Sequence, residues 1–329
     1  MYNVLFRPNF CYKDSALLVA LVVIVFVLLF GKLPDSNLFW RELQNSGHTL
    51  LFIPIAVFIL LLLQDASKVF WQNPFKLYMA ACLISLLIGI IIELIQLIMS
   101  RDASLIDVVR DLTGIIVGLG LRASVDPELL TYRMKAGKKM ATRIVMLSFF
   151  VFAVSMSPLA LISASYLQRE IAFPVIVDLT ANWMQPFLRL NNAVIDLPES
   201  SEEIRIDKEG QLTRVEFKRG IYPGVSIIET FPDWSAYRVL TIIVYSKLMQ
   251  PFELILRIHD DQHNDDYSDR FNSELAINEG VNYFHILLED IEKAPLNREM
   301  NMTQIKGVTL FSALPADGLQ FYVGAMRLE

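Results

Sequence analysis

The sequence predicts a multi-domain protein: an N-terminal α-helical transmembrane bundle of about five spans, then an all-β jelly-roll sandwich. Three observations predict it. Apolar runs near the roughly 20 residues that a spanning helix needs crowd the first half of the 329-residue chain. Short β-branched and aromatic runs, separated by turn residues, fill the second half. The charge divides as well. Residues 1–169 hold 15 basic and 10 acidic side chains, net +5, whereas residues 170–329 hold 14 and 25, net −11. Such an acidic outer half excludes nucleic acid as a partner, because phosphate neutralisation needs Lys and Arg.

The runs at 16–31, 49–63, 77–99, 105–121 and 144–166 are the expected spans. The first lacks a small-x-small cleavage site before Lys32, so it reads as an anchor rather than a removed signal peptide. Arg122, Arg133, Lys135, Lys138, Lys139 and Arg143 crowd the 122–143 loop, which the positive-inside rule assigns to the cytoplasm. The N-terminus is then cytoplasmic too, and everything after residue 166 lies outside. This arrangement keeps ten of the 14 Lys and Arg of residues 1–143 inside. Three parts are therefore expected: a bundle at 1–122, a basic loop and last span at 123–169, and an extracytoplasmic sandwich at 170–329. The only cysteines, Cys11 and Cys82, both precede the sandwich and cannot bridge it.

Polar residues interrupt the third and fourth spans. Glu93 and Gln96 share one helix face, Arg101 sits in the hairpin, and Ser104, Asp107 and Asp111 follow. Gly114 and Gly118 continue the face of Asp107 and Asp111, so the acids point at a closely packed neighbour rather than at lipid. His48, at the start of the second span, falls at the same depth. Each residue has a plain reading: Ser104 as a helix cap, Arg101 as a snorkelling interfacial residue, His48 as an interfacial histidine. Together they form either a buried polar site or a structural salt-bridge network, because burying several ionisable groups in register is costly.

The run Glu93-Leu-Ile-Gln96, Arg101, Ser104, Asp107-Val-Val-Arg-Asp111-Leu-Thr-Gly114 and Gly118 resembles the VanZ-like family of small integral membrane proteins. The resemblance covers about residues 15–122. An Asp-Lys pair ahead of the family histidine appears here as Gln44-Asn45, and a later Asn appears as Asp111. The resemblance implies a bacterial cytoplasmic-membrane protein of the cell envelope, in a family associated with low-level glycopeptide (teicoplanin) resistance.

In the second half, the runs beginning at Val225, Arg238, Phe252, Asn282, Val308 and Leu319 read as strands of a two-sheet sandwich. The segments Pro232-Asp-Trp234, Ile258-His259-Asp260, Tyr267-Ser-Asp-Arg270 and Gly280-Val-Asn-Tyr283, with Arg298, resemble galactose-binding-like jelly rolls, the fold of many carbohydrate-binding modules. Sugar sites set an aromatic face beside a few oriented polar groups, so Trp234, His259, Asp260, Tyr267 and Arg270 are the glycan-binding candidates. Trp234 serves equally well as a plug for the sandwich end, and Tyr267 as a loop fastener. Asp260, Asp261, Asp265, Asp266 and Asp269 crowd one loop without EF-hand spacing, which reads as a solvated acidic loop.

Taken together, the expected protein handles envelope or lipid-linked glycan through its outer sandwich, with membrane lipid around its helices. The alternative is an enzyme acting on a lipid-linked phosphate or glycan at the outer leaflet, with Arg101 on the anion, His48 or Glu93 as base and Asp107 orienting His48. No nucleophile elbow, metal-ligand spacing or glycine-rich phosphate loop is present, so no cofactor or metal is expected and no catalytic residue is assigned.

Overall fold

The computed structural model describes residues 12–34, 37–66, 73–99, 104–133, 137–196, 205–206, 210–313 and 318–329. The chain divides into two compact units, Met1–Ile162 and Ser163–Glu329.

The helices are α1 (Tyr12–Phe30), α2 (Leu38–Ala66), α3 (Pro74–Ile98), α4 (Leu105–Val125), the short α5 (Pro127–Arg133) and α6 (Gly137–Ala172). Among the described residues, three segments are long and apolar enough to cross a membrane: Leu38–Gln64, Pro74–Ile98 and Lys139–Ala172. Ser15–Phe30 is a shorter apolar helix. Three of the five expected spans meet this measure, so five is not confirmed. The fourth predicted span is a helix, but Asp107, Arg110, Asp111 and Arg122 make α4 too charged by composition alone. Helix α2 also starts well before residue 49, which places Glu42 and His48 inside it.

Helices α2, α3 and α4 enclose a core of Phe52, Ile55, Ile59, Leu60, Ile92 and Ile115. The α2–α4 contact is the tight one. A Cβ at Gly118 would lie 2.5 Å from the Ile53 carbonyl oxygen, and one at Gly114 would strike the Thr49 carbonyl. The Gly114-x-x-x-Gly118 pair therefore faces α2, backbone against backbone. Large apolar side chains meanwhile point outward, among them Leu83, Leu87, Leu94, Phe149, Phe150 and Leu161. Apolar outside with acids inside inverts the pattern of a water-soluble bundle.

The second unit is a sandwich. Its strands are β1 (Val175–Val177), β2 (Leu188–Asn191), β3 (Ala193–Asp196), β4 (Arg205–Ile206), β5 (Gly210–Gln211), β6 (Thr213–Phe217), β7 (Gly224–Ile227), β8 (Val239–Ser246), β9 (Phe252–Asp260), β10 (Phe271–Ile277), β11 (Gly280–Leu287), β12 (Ile305–Phe311), β13 (Leu319–Val323) and β14 (Met326–Leu328), with α7 (Leu288–Glu292) after β11. One sheet runs β1-β14-β8-β13-β6-β3 with β11 on the other edge of β8, and the second runs β10-β9-β12-β7-β2. Every pairing in both sheets is antiparallel. The two-residue period decides which side chains are inside. On β9, Leu254, Leu256 and Ile258 are buried while Arg257 and His259 turn outward. Leu240, Ile242 and Val244 of β8, with Val215, Phe217 and Phe321, bury the facing layer. The last strand pairs inside its sheet, Arg327 opposite Thr241.

Candidate functional site

Two polar clusters stand out, one in each unit. The first is the membrane seam. His48 on α2, Glu93 on α3, and Asp107 and Asp111 on α4 are all buried, Asp111 completely. His48 Nδ1 lies 3.0 Å from Asp111 Oδ1 and 3.9 Å from Glu93 Oε1. Asp111, not Asp107, is therefore the partner that orients the imidazole. Asp107 Oδ1 instead accepts from Arg110 Nη1 at 2.6 Å, and Arg110 reaches Glu42 at 3.5 Å. Asp111 owes its place partly to Gly89, where a Cβ would come within 2.6 Å of Asp111 Oδ2.

Ser104 does two jobs: its hydroxyl accepts from the Ile106 N–H at 3.1 Å, capping α4, and its own N–H donates to Glu93 Oε2 at 3.0 Å. Gln96 faces elsewhere, donating to the Leu28 carbonyl at 2.9 Å, and so ties α3 to α1. The Arg101 expectation lies outside the described residues. Among the described residues, nothing donates a hydrogen bond to the buried Glu93 Oε1 or Asp111 Oδ2. Below this layer, Thr49 Oγ1 bonds Ser155 Oγ at 2.8 Å and lies 3.2 Å from Thr113 Oγ1.

A second polar knot closes the other end of α4. Asp126 Oδ2 accepts from Tyr78 at 2.9 Å and Gln64 at 3.4 Å, with Arg122 at 3.6 Å. Nineteen residues separate Asp107 from Asp126, about 28 Å along a helix, close to the thickness of a bilayer core.

The second cluster is a corner of the five-stranded sheet, on its outward face. Tyr267 is 72% exposed, and the Arg270 guanidinium lies 5.1 Å from its ring centre. Beside them are Arg257, His259, His263 and Asn272, the last directly opposite Arg257 in the β9–β10 register. The His259 and His263 rings are 5.0 Å apart. His259 lies across Gly307, where a Cβ would come within 2.5 Å of the imidazole. Burial, reinforced by the Arg257 charge, pushes the His259 imidazole down to about 4, so it is neutral at pH 7. Burial and the nearby Arg270 also lower Arg257. Four buried polar atoms in this corner have no hydrogen-bond partner: Arg257 Nε, His259 Nδ1, Arg270 Nε and Asn272 Oδ1. Buried polar groups are normally satisfied, so four orphans together mark a surface shaped for something else.

Of the five expected glycan contacts, His259, Tyr267 and Arg270 converge here, and two do not. Trp234 is fully buried and donates its indole N–H to the Phe231 carbonyl at 2.7 Å. It plugs the sandwich end and has no face to offer a sugar. Asp260, next to His259, points inward as the strand period demands. There Arg298 grips it with both Nη atoms while Nε donates to Asp269 Oδ1 at 2.6 Å, and the Asn301 N–H donates to Asp260 at 2.7 Å. Burial raises the Asp260 carboxyl, but these bonds outweigh it and hold it below the usual range. Arg298 likewise brings Asp269 down to about 2. Arg257, His263 and Asn272 were not anticipated, although the alternation Leu254, Leu256, Ile258 already turns Arg257 outward.

No family model matches the chain, and no curated protein matches it either. Several solved structures are similar in part. The family 11 carbohydrate-binding module from Clostridium thermocellum, in complex with a β-1,3-1,4-mixed-linked tetrasaccharide, is 15% identical with a TM-score of 0.32 and covers 43% of this chain and 94% of its own. A carbohydrate-binding module specific for non-crystalline cellulose is 9% identical with a TM-score of 0.32 over 48% of this chain and 94% of its own. An exo-β-agarase is 14% identical with a TM-score of 0.35, covering 44% of this chain but 23% of the agarase. At these identities and scores the likeness carries no conclusion about a ligand.

Proposed function

We infer that this is a membrane-anchored glycan-binding protein of the bacterial envelope, VanZ-like in its helical unit and jelly-roll-like in its sandwich. The helical unit sits in the cytoplasmic membrane with its N-terminus inside, and the sandwich lies on the outer side. The outward apolar side chains and the spacing of the two polar knots on α4 support the membrane placement. Tethering holds the sandwich at high effective concentration near surface or lipid-linked polysaccharide. The single observation that carries the binding reading is the sandwich corner: an exposed Tyr267 ring beside the partly exposed Arg257, Arg270 and Asn272. A sugar ring stacks on such an aromatic face, and the partly exposed Arg257, Arg270 and Asn272 side chains can bond its hydroxyls. The Arg257 and Arg270 pair suits glycans that carry carboxylate or phosphate.

The test is binding of the full chain, purified in detergent, to an array of bacterial envelope polysaccharides. Tyr267→Ala and Arg257→Ala should abolish saturable binding, while Trp234→Phe leaves it unchanged. A folded protein that binds no polymer on the array would overturn the reading. A second reading, an enzyme working on a lipid-linked phosphate or glycan, is favoured by the His48–Asp111 contact at 3.0 Å, which orients an imidazole beside Glu93. Turnover of a lipid-linked substrate that vanishes in Glu93→Gln, in a protein that still folds, would establish it.

A further inference from the structure

The membrane seam brings together side chains that charge balance alone does not explain. His48, Glu93 and Asp107 come from three different helices, α2, α3 and α4, and one ligand atom from each lies within 4.8 Å of the others. All three are buried. Among the described residues, Arg110 is the fixed cation that reaches this layer, and it serves Asp107 and Glu42. Glu93 and Asp111 are left without it. Glu93 is the most telling: Oε2 is anchored by the Ser104 N–H, and Oε1, in a residue only 6% exposed, accepts nothing from the described residues. One oxygen is fixed and the other lies 3.9 Å from the imidazole Nδ1 that Asp111 holds.

We propose that His48, through Nε2, with Glu93 and Asp107 binds one divalent transition-metal ion, while Asp111 holds His48 Nδ1. The ligand set selects the class of ion. One imidazole with two carboxylates suits zinc or manganese, whereas calcium takes six to eight oxygens and magnesium keeps most of its water. The two carboxylates balance a 2+ charge. Ligands around zinc sit at about 2.0–2.2 Å from the metal, so the three groups close inward by small side-chain rotations. Asp107 remains bound to Arg110 through Oδ1 and coordinates through its second oxygen. Asp111, at His48 Nδ1, takes the part of the carboxylate that fixes a metal-binding histidine, which leaves Nε2 for the ion. Three ligands leave a coordination position open, so the ion is available to an anionic group at the same depth. This inference is independent of glycan binding by the sandwich.

The experiment uses the full chain without a histidine tag, purified in detergent, stripped with EDTA and titrated separately with zinc, manganese, magnesium and calcium chlorides. Elemental analysis after gel filtration should give one zinc or manganese per chain, and cobalt substitution should give visible d–d absorption from a site with a nitrogen ligand. His48→Gln and the isosteric Glu93→Gln should lose the bound metal, and Asp111→Asn should weaken affinity by about 10–100-fold. His285→Gln, on an outer strand of the sandwich, should change nothing. Cobalt absorption on the wild-type chain reads the site directly, even where a variant fails to fold. Metal-free wild-type protein after zinc and manganese titration, equal binding by Glu93→Gln, or a preference for magnesium or calcium would each overturn the proposal.

Discussion

Removing Arg298 should unfasten the sandwich, and the size of the effect follows from how completely Asp260 is buried. The Asp260 side chain has no exposed surface, and its two oxygens are held by the Arg298 fork and the Asn301 N–H. In Arg298→Ala the carboxylate stays inside with only the Asn301 and Gln262 backbone donors, which for a broken buried pair costs about 3–5 kcal/mol. At about 1.4 kcal/mol per tenfold, this is roughly a hundred- to several-thousand-fold in the opening equilibrium. Hydrogen exchange on the full chain reads it where it matters, in peptides from β9 and β12, because Asp260 pairs with Ile305 and His259 with Gly307. The contrast is the exposed Glu289–Lys293 pair of α7, whose side chains are 66% and 61% exposed. Lys293→Ala should leave exchange close to wild type, because an exposed pair is screened by solvent. Combining Asp260→Asn with Arg298→Ala should cost less than Arg298→Ala alone, since the stranded charge is gone. Exchange in Arg298→Ala within about tenfold of wild type would refute the reasoning.

Acid should weaken the sandwich in two steps. His259 takes its proton at about 4 when folded and near 6.5 when unfolded, so the unfolded chain protonates first as pH falls below about 6.5. Stability should fall through that window by on the order of 3 kcal/mol and then level near pH 4 for this group. Asp260, depressed in the folded state, adds its own loss at lower pH. Denaturant titrations at pH 7 and 4.5 should show the difference shrink in His259→Gln, and an unchanged slope would contradict the assignment. In the helical unit, Gly118→Ala drives a Cβ against the Ile53 carbonyl and should cost about 1–3 kcal/mol, seen as a lower midpoint of heat-induced aggregation in detergent. A Gly118→Ala protein as heat-stable as wild type would mean that α2 and α4 do not touch there.

The strands were legible because a half-buried strand writes its two-residue period into the chain. The runs beginning at Val225, Arg238, Phe252, Asn282, Val308 and Leu319 all contribute strands, and the same alternation turns His259 outward and Asp260 inward. Treating those neighbours as joint ligand contacts overlooked that period. The acids of α4 were legible from helical spacing, which names a face but not the residue opposite it. Asp107 pairs with Arg110 three residues on, whereas His48 finds Asp111 across 63 residues of chain. Arg298 stood out as part of the jelly-roll resemblance, but its partner was hidden: it sits in irregular chain 38 residues from Asp260, where no period applies. Trp234 was ambiguous because an aromatic after Pro-Asp serves a core and a sugar equally well, and burial alone decides between them.

The two acidic knots look alike in sequence and differ in their hydrogen-bond accounting. In the sandwich, Arg298 and Asn301 engage both Asp260 oxygens, and Asp269 takes the remaining side of the guanidinium. Nothing there is left to bind, so the knot is a fastening, and its removal should read as stability. In the membrane seam, one oxygen of Glu93 and one of Asp111 have no donor among the described residues although both are buried. A structural network of that kind would be costly, because each half-satisfied carboxylate keeps its desolvation penalty without its compensation. The distinction therefore predicts opposite responses to isosteric neutralisation. Asp260→Asn loses charge-assisted bonds that hold the sandwich and should destabilise it. Glu93→Gln removes an unpaired buried charge and should leave the helical unit equally or more stable in the absence of metal, while abolishing whatever the seam binds.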